Sequence, residues 1–283
     1  MNLQSDYVIK NMEKDDLKLA IEWAKNEGWN PGIFDVDSFY QTDPSGFFMG
    51  YLGQEPISCV SAVAYDDKFG FLGFYIVKPD FRGKGFGITI WNKGIKHLQK
   101  RNIGLDGVPE QQENYKKYGF KLAYKNIRYS GIIEQNGHVL ENLRELKDLP
   151  IEKLIKYDSK MFPTNRSKFI KKWINQNQSR ALGFLSDNDL QGYGVISPCY
   201  VGFKIGPLFA EDEQIAQELF RGLTTNLTGK IVYLDIPEPN SAAISFATKN
   251  NMKKTFETAR MYNKEIPKLP IDQIFGITTF ELG

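Results

Sequence analysis

The chain has 283 residues, of which 41% are hydrophobic and 25% are charged, and its 36 basic side chains nearly balance 34 acidic ones. These values are typical of a globular protein, and the length predicts two domains. The balanced charge predicts no nucleic-acid partner and no membrane surface. Two cysteines, Cys59 and Cys199, are too few for a disulfide framework, and two histidines exclude a histidine-rich site, so we expect no metal.

The N-terminal residues 1–16 contain no apolar segment of signal-peptide length. No run of the chain approaches the ~18 apolar residues of a membrane-spanning helix. From these two observations we expect a cytoplasmic protein.

A strand-like run at residues 6–12 comes first, and Asp15 or Asp16 is predicted to cap the helix that follows. Glycine and proline within residues 26–32 end that helix, and a short second helix is predicted over residues 36–41. Three strand-like runs come next, and the short breaks between them predict an antiparallel meander. These runs span residues 47–52, 57–65 and 69–77.

The third run leads into "VKPDFRGKGFG", residues 77–87, in which three glycines alternate with other residues and two cations are interspersed. Beyond this glycine loop the sequence predicts a helix that ends near Asn102 and a short strand over residues 103–108. A proline-initiated helix then ends at Gly119, and a strand over residues 120–131 closes the unit.

The second half repeats this order of elements. "VGFKIGPLF" corresponds to "FGFLGFYIV", "IVYLDI" to "IGLDGV" and "TFETARMYN" to "LAYKNIRYS". Gly119-Phe120 matches Asn251-Met252, and Arg128 matches Arg260, in both cases 132 residues later. We predict an N-terminal domain of residues 1–138 and a C-terminal domain of residues 139–283, divided by the polar stretch "EQNGHVLEN".

Three interpretations of the glycine loop compete with that of a basic surface turn. A P-loop requires G-x-x-x-x-G-K-[ST], whereas here Lys84 precedes Gly85. A dinucleotide fingerprint requires G-x-G-x-x-G; Asp106 does lie roughly twenty residues on, where a ribose-binding acid would stand, but the loop follows an antiparallel meander. The third pattern, a strand, R-x-x-G-x-G and a helix, is met by Arg82, Gly85 and Gly87. It predicts backbone N–H groups that bind a pyrophosphate at a helix N-terminus.

"YIVKPDFRGKGFG" resembles the acyl-CoA-binding motif of the GNAT superfamily of N-acetyltransferases. Together, "EGWNPG", "DPSGFF", "FGFLGFYIV", "GLDGV" and "NYKKYGF" resemble the YitH-like branch, which carries a second GNAT-like domain. The resemblance extends over both halves. It implies an α/β fold (layered α+β) of tandem GNAT domains, each a mixed and mostly antiparallel sheet flanked by helices, with acetyl-CoA as cosubstrate.

The resemblance also implies which residues bind the cofactor. The strand before the loop splays, and free backbone groups at Tyr75, Ile76 and Val77 are expected to hold the pantetheine and the thioester carbonyl. The pyrophosphate is expected at Arg82, Gly83, Lys84, Gly85, Phe86 and Gly87. Tyr115, four residues before Gly119, matches the family's tyrosine at the CoA sulfur, and a phenol can act as general acid for the departing thiolate. The alternative for Tyr115 is simple packing at a helix end.

The base and the acceptor pocket are less sharply defined by the sequence. Glu27, Asp106 and Glu113 are candidate bases, since a carboxylate can act through a water, but each also suits a cap, a strand end or the surface. Trp29 and Asn30 fall between the first two helices, where GNAT enzymes usually build the acceptor pocket. Gly-Trp-Asn-Pro-Gly is equally a sound helix stop and turn.

In the second half, "LFAEDEQIA" replaces the glycine loop, and its acids at the start of a helix would repel a pyrophosphate. Ala247 stands at the position of Tyr115. Asn240 matches a motif asparagine of the family, which Val108 replaces in the first half. We therefore predict that the second half does not bind acetyl-CoA, and that it packs on the first half and walls the acceptor site.

The sequence thus predicts an N-acetyltransferase that moves an acetyl group from acetyl-CoA to a primary amine. Transfer is expected to be direct, in a ternary complex, because no cysteine lies near the loop to carry the acyl group. A small amine and a protein lysine both fit as acceptor. The alternatives are a non-catalytic acyl-CoA-sensing or interaction protein and a nucleotide-binding oxidoreductase. The pattern favours no oligomeric state.

Overall fold

The computed structural model describes residues 6–134 and 141–283, so the predicted domain boundary at residues 138 and 139 lies outside the described residues. The first half follows the order of elements predicted for it. Its elements are β1 (Tyr7–Asn11), α1 (Lys14–Asn26), α2 (Asp35–Thr42), β2 (Phe47–Leu52), β3 (Glu55–Ala64), β4 (Phe69–Val77), α3 (Phe86–His97), β5 (Asn102–Gly107), α4 (Gln112–Lys117) and β6 (Lys121–Ile132).

The second half repeats this order, beginning with a short strand, and adds one further strand at its end. Its elements are β7 (Leu143–Glu145), α5 (Ile151–Met161), α6 (Ser167–Trp173), β8 (Arg180–Ser186), β9 (Asp189–Pro198), β10 (Phe203–Ala210), α7 (Glu213–Leu223), β11 (Ile231–Pro237), α8 (Ser241–Lys249), β12 (Lys253–Tyr262) and β13 (Ile274–Gly276). Within the described residues, no helix is both long and apolar enough to cross a membrane.

The start of α1 differs from the prediction. The N-cap residue is Glu13, so the expectation of Asp15 or Asp16 as the cap was wrong. The Asp16 carboxylate instead accepts a hydrogen bond from the Glu13 backbone N–H at 2.9 Å. A carboxylate three residues into the helix therefore satisfies the backbone of the capping residue, as in a capping box.

The thirteen strands of the described residues belong to one sheet, in the order β1-β2-β3-β4-β5-β12-β6-β11-β10-β9-β8-β7, with β13 on β10. The two halves therefore exchange a strand. β12 of the second half pairs with β5 of the first, and β6 of the first half pairs with β11 of the second. The strand predicted over residues 120–131 forms, but it completes the sheet of the other half.

Two buried ion pairs accompany this exchange. Arg260 on β12 stands opposite Asp106 on β5 and donates to both of its carboxylate oxygens, at 2.9 and 2.6 Å. Arg128 on β6 stands opposite Asp235 on β11 and donates to both carboxylate oxygens of Asp235, at 2.6 and 2.8 Å. Such bidentate contacts compensate the cost of burying both charges. The two arginines noted at matching positions in the sequence are thus the anchors of the exchanged strands.

The halves also share a hydrophobic core. One cluster of buried residues takes members from α1, α2 and β4 of the first half and from α5, α6 and β9 of the second. Within it, the rings of Phe39 and Trp173 stack with centroids 6.0 Å apart and planes 1° from parallel. Because the two repeats share a core and a sheet, we expect them to unfold together.

The segment after β12 returns to the first half. The side-chain amide of Asn102 donates to the carbonyl of Glu265 at 2.7 Å, and the hydroxyl of Tyr65 donates to the carbonyl of Leu282 at 2.8 Å. The Glu281 carbonyl lies beside Gly73, so the last residues also contact β4. This path was not predicted from the sequence.

Candidate active site

β4 and β5 separate halfway along their length. They pair in parallel from Phe69 opposite Asn102 to Leu72 opposite Leu105, and the ladder ends there. On its other side, β4 pairs with β3 through a β-bulge, in which Phe74 adopts a left-handed φ of 43°. Because a bulge bends its strand, β4 turns away from β5 and leaves a gap between them.

Beyond Leu72, β4 no longer pairs with β5 on the side of the gap. The Lys78 N–H donates to the Ile57 carbonyl at 2.9 Å. Since backbone groups alternate in direction along an antiparallel strand, those of Val77 point away from β3 and into the gap. The Val77 carbonyl there accepts a hydrogen bond from Arg82 Nε at 2.8 Å. The strand thus offers fixed backbone groups to a ligand that enters the gap.

The glycine loop adopts conformations that other residues avoid. Gly83 and Gly85 have φ of 74° and 88°, and Gly85 is the N-cap residue of α3. A Cβ at Gly87 would lie 2.7 Å from the Tyr75 hydroxyl oxygen, so a side chain there would displace Tyr75. The three glycines keep the N-terminus of α3 open, where unpaired N–H groups and the helix dipole favour an anion.

A cavity of about 650 Å³ connects the gap, the loop and the end of α1. It is lined by residues 72–77, by Arg82 and the three loop glycines, and by Tyr115. Glu27, Trp29 and Asp106 also line it. Residues separated by more than eighty positions in the sequence therefore meet around one space.

The side chains of three residues proposed from the sequence are directed away from the cavity. Lys84 Nζ donates to the Asp80 carbonyl at 2.8 Å, and Phe86 is buried with its ring centroid 5.0 Å from that of Tyr7. Asn30 bonds to the loop of the second half, where its side-chain amide donates to the Val201 carbonyl at 3.0 Å and accepts from the Val201 N–H at 2.9 Å. Their side chains support the loop and the junction of the halves, and none of the three lines the cavity.

Tyr115 forms part of the cavity wall beneath the loop. Its ring stacks on Trp91 at 5.2 Å between centroids, and a Cβ at Gly107 would overlap it. The side chain is 7% exposed, and burial raises the pKa of its phenol above the usual range. The phenol is protonated at neutral pH, so its hydroxyl can donate a hydrogen bond into the cavity.

The carboxylates named as candidate bases are all engaged in contacts. Glu27 forms an ion pair with Arg82. Asp106 holds Arg260 and also accepts from Asn126 Nδ2 at 2.8 Å, while its burial raises its pKa above the usual value. Glu113 pairs with Lys116 at 2.6 Å on the surface and does not line the cavity.

Part of the cavity wall comes from the second half. Phe256 and Thr258 on β12 and Phe280 and Glu281 near the end of the chain line it. Sequence analysis did not single out any of these four residues. No local signal could have done so, because they reach the site only through the exchange of β12 and the return of the final segment.

The corresponding gap in the second half is filled by the chain itself. β10 and β11 pair in parallel only from Phe203 opposite Val232 to Ile205 opposite Leu234. Beyond that point β13 pairs with β10, and the Ile277 N–H donates to the Asp235 carbonyl of β11 at 2.8 Å. A backbone segment thus lies where the first half has its cavity.

Asn240, which matches the family's motif asparagine, holds this filling segment in place. Its Nδ2 donates to the carbonyls of Ile271, Asp272 and Ile274 at 3.0 to 3.1 Å. At the start of α7, the Asp212 side chain caps the helix by accepting from the Ile215 N–H at 2.8 Å. The helix N-terminus that would face an anion is therefore satisfied by a carboxylate.

Comparisons with known proteins agree with this architecture. A model described as "Acetyltransferase (GNAT) family" matches residues 15–120, and one described as "Acetyltransferase (GNAT) domain" matches residues 154–276. Holothin acyltransferase of Pseudoalteromonas sp. (strain SANK 73390) is 32% identical over 100% of this chain and 97% of that protein. The uncharacterized N-acetyltransferase YitH of Bacillus subtilis (strain 168) is 21% identical over 84% of this chain and 86% of its own length.

Solved structures share the whole fold. A putative acetyltransferase from Pyrococcus horikoshii superposes with a TM-score of 0.83 at 21% identity, over 98% of this chain and 96% of that one. A tandem GNAT protein from the clavulanic acid biosynthesis pathway gives a TM-score of 0.61 at 11% identity, over 93% and 99% of the two chains. The fold and the site define an acyltransferase with two GNAT repeats. The chain belongs to the GNAT acetyltransferase family, and the predicted fold class and tandem arrangement are confirmed.

Proposed function

We propose that the protein is an N-acetyltransferase that transfers the acetyl group of acetyl-CoA to a primary amine by direct attack. The observation that carries this proposal is a cavity in which three features meet: the free edge of β4, the glycine-lined N-terminus of α3 and the buried phenol of Tyr115. Each suits one part of a thioester substrate. The helix N-terminus suits its pyrophosphate, the strand edge suits its pantetheine amides, and the phenol suits its sulfur.

The proposed reaction begins when the acceptor's ammonium group loses one proton to solvent water and the resulting amine attacks the thioester carbon with its nitrogen lone pair. The new C–N bond produces a tetrahedral intermediate whose oxyanion accepts from a backbone N–H at the β4 edge. The C–S bond then breaks, the sulfur keeps the electron pair, and Tyr115 gives its proton to the thiolate. The second proton of the nitrogen returns to the Tyr115 oxygen, so the products are the amide and CoA thiol.

Direct transfer is supported by the positions of both cysteines. Cys59 Sγ donates to the Phe74 carbonyl at 3.1 Å and is fully buried behind β4, where desolvation raises its pKa. Cys199 lies at the junction of the halves, and its Sγ donates to the Val201 carbonyl at 3.1 Å. Neither thiol lines the cavity, so neither is placed to carry the acetyl group.

Tyr115→Phe is expected to lower kcat by about 100-fold while leaving the dissociation constant of acetyl-CoA unchanged, because the substitution removes a proton donor and keeps the ring. Steady-state kinetics with thiol detection, together with calorimetric titration, measure the two effects. Tyr118→Phe is the matched control, since its ring also packs on Trp91, at 5.5 Å, but is 44% exposed. Full turnover by Tyr115→Phe would remove the general-acid role.

Calorimetric titration of the protein with acetyl-CoA tests the proposed function itself, and we expect one site per chain. A single site follows from the open gap in the first half and the gap filled by β13 in the second. Two sites per chain would mean that the ligand displaces β13 from the gap of the second half. Absence of binding would remove the acetyltransferase proposal.

An acceptor screen follows, with holothin as the first candidate acceptor because a relative that matches the whole chain is named for it. Release of CoA thiol that depends on the added amine supports transfer. Binding of acetyl-CoA without thiol release for any amine would favour the alternative of a non-catalytic acyl-CoA-sensing protein.

A further inference from the structure

The cavity wall contains a buried carboxylate without a partner. Glu281 is 2% exposed and lines the cavity. Among the described residues, neither of its carboxylate oxygens has a hydrogen-bond partner. A buried charge left in this state costs several kcal/mol, which a bound cation would offset.

The backbone holds Glu281 firmly beside the site. Its carbonyl lies so close to Gly73 of β4 that a Cβ at that glycine would overlap it. The next residue is fixed from two sides, because the Leu282 carbonyl accepts from Tyr65 and the Leu282 N–H donates to Thr279 Oγ1 at 2.9 Å. Gly73 immediately precedes the bulge of β4, so Glu281 lies at the closed end of the gap.

A second unsatisfied oxygen lies in the same wall. Thr258 Oγ1 on β12 is buried, and among the described residues it too has no hydrogen-bond partner. Thr258 and Glu281 both line the cavity, and the rings of Phe256 and Phe280 lie beside them, 5.9 Å apart between centroids. The wall therefore combines two aromatic rings with buried oxygen acceptors that have no donor within the described residues.

The buried Arg128 interacts electrostatically with Glu281, but its hydrogen bonds go to other residues. Arg128 on β6 gives two hydrogen bonds to Asp235 and one to the Trp29 carbonyl at 2.6 Å. Asp35 on α2 accepts from the Gly32 N–H at 2.9 Å. Of the other carboxylates considered as bases, Glu27 and Asp106 each hold an arginine. Within the described part of the chain, Glu281 is thus a buried cavity-lining carboxylate with neither a direct ion pair nor a hydrogen bond to its oxygens.

We propose that Glu281 is the counter-ion for the acceptor's ammonium group, with Thr258 as a second oxygen acceptor beside it. The proposal rests on the proposed function and adds the class of acceptor, an amine that arrives as a cation with an apolar group against Phe256 and Phe280. An ammonium has three donors and no acceptor, which matches a wall that offers oxygen atoms with free lone pairs.

The experiment uses CoA thioethers that reach from the CoA site toward this wall. S-(ω-aminoalkyl)-CoA with two, three or four carbons carries an ammonium beyond the sulfur, and S-alkyl-CoA of equal length is its neutral match. At pH 7 we expect the best cationic thioether to bind the wild-type protein about tenfold or more tightly than its neutral match. Glu281→Gln should abolish that difference and leave the affinity for the neutral thioether unchanged.

Two variants complete the design. Glu281→Asp keeps the charge and should keep part of the preference, and Glu113→Gln, at the surface outside the cavity, should keep all of it. Thermal unfolding supplies an independent readout. Because Glu281→Gln removes a buried carboxylate that has no direct ion pair or hydrogen bond, its unfolding midpoint should equal or exceed that of the wild type.

Several outcomes would overturn the proposal. Equal binding of cationic and neutral thioethers by the wild type would show that no counter-ion faces the ligand. A preference that survives in Glu281→Gln would place the ammonium elsewhere, and a much lower unfolding midpoint of that variant would show a structural role for the carboxylate. If no thioether binds at any length, the CoA site of the proposed function fails, and this inference fails with it.

Discussion

Gly85→Glu is expected to reduce the affinity for acetyl-CoA by more than about 100-fold. Gly85 has a left-handed φ of 88° at the N-cap of α3, where a residue with a Cβ costs roughly 1–2 kcal/mol. The added carboxylate would also meet the helix N-terminus in place of the pyrophosphate, and like charges at close range repel. Calorimetric titration with acetyl-CoA measures the loss.

Gly53→Glu is the matched control for this prediction. Gly53 lies in the turn between β2 and β3 and has a φ of 61°, and a Cβ added there would meet no atom within 4 Å. The substitution therefore introduces the same charge and a similar backbone strain away from the cavity. If both variants lose affinity equally, strain alone explains the effect, and the loop is not the pyrophosphate site.

Arg260→Met should lower the free energy of unfolding by about 3–5 kcal/mol, because it leaves the buried carboxylate of Asp106 without its arginine. The Arg260 side chain is 4% exposed and that of Asp106 is fully buried, so water cannot replace the lost contacts. Equilibrium denaturation in urea measures the change. A single transition is expected, since the exchanged strands join both halves in one sheet.

Lys253→Met, on the same strand, is the control for Arg260→Met. Lys253 is exposed at the start of β12, and its replacement should change the free energy of unfolding by less than about 0.5 kcal/mol. A similarly small effect of Arg260→Met would mean that β12 is not anchored on β5 through this ion pair. Two separate transitions would contradict a cooperative pair of repeats.

The predictions for Gly85→Glu and Arg260→Met test what each of the two halves contributes to the protein. The first half carries the loop and Tyr115, whereas the second half supplies β12 and the final segment to the same cavity. The gap of the second half is occupied by β13 and held by Asn240. We therefore propose that the second repeat acts by completing the sheet and the acceptor wall of the first.

Local features of the site were accessible from the sequence because short-range geometry determines them. Alternation and helical spacing predicted the order of elements, and Gly85 and Gly119 stand where the backbone takes a positive φ. Asn251, the match of Gly119 in the second half, has a φ of 55° at the same turn. Tyr115 was assigned to the site by the resemblance to the GNAT family, whose motif has a tyrosine four residues before that turn.

Which strand pairs with which was decided only by the tertiary structure. β6 and β12 are formed by corresponding stretches of the two repeats and carry arginines at matching positions. Judged by the neighbouring residues in sequence, either arginine could pair with Asp106 or with Asp235. Side-chain direction likewise turned Lys84 and Asn30 away from the cavity. Glu281 reaches the site because the final segment of the chain returns to the first half, which is far away in sequence. No pattern of neighbouring residues encodes such a return.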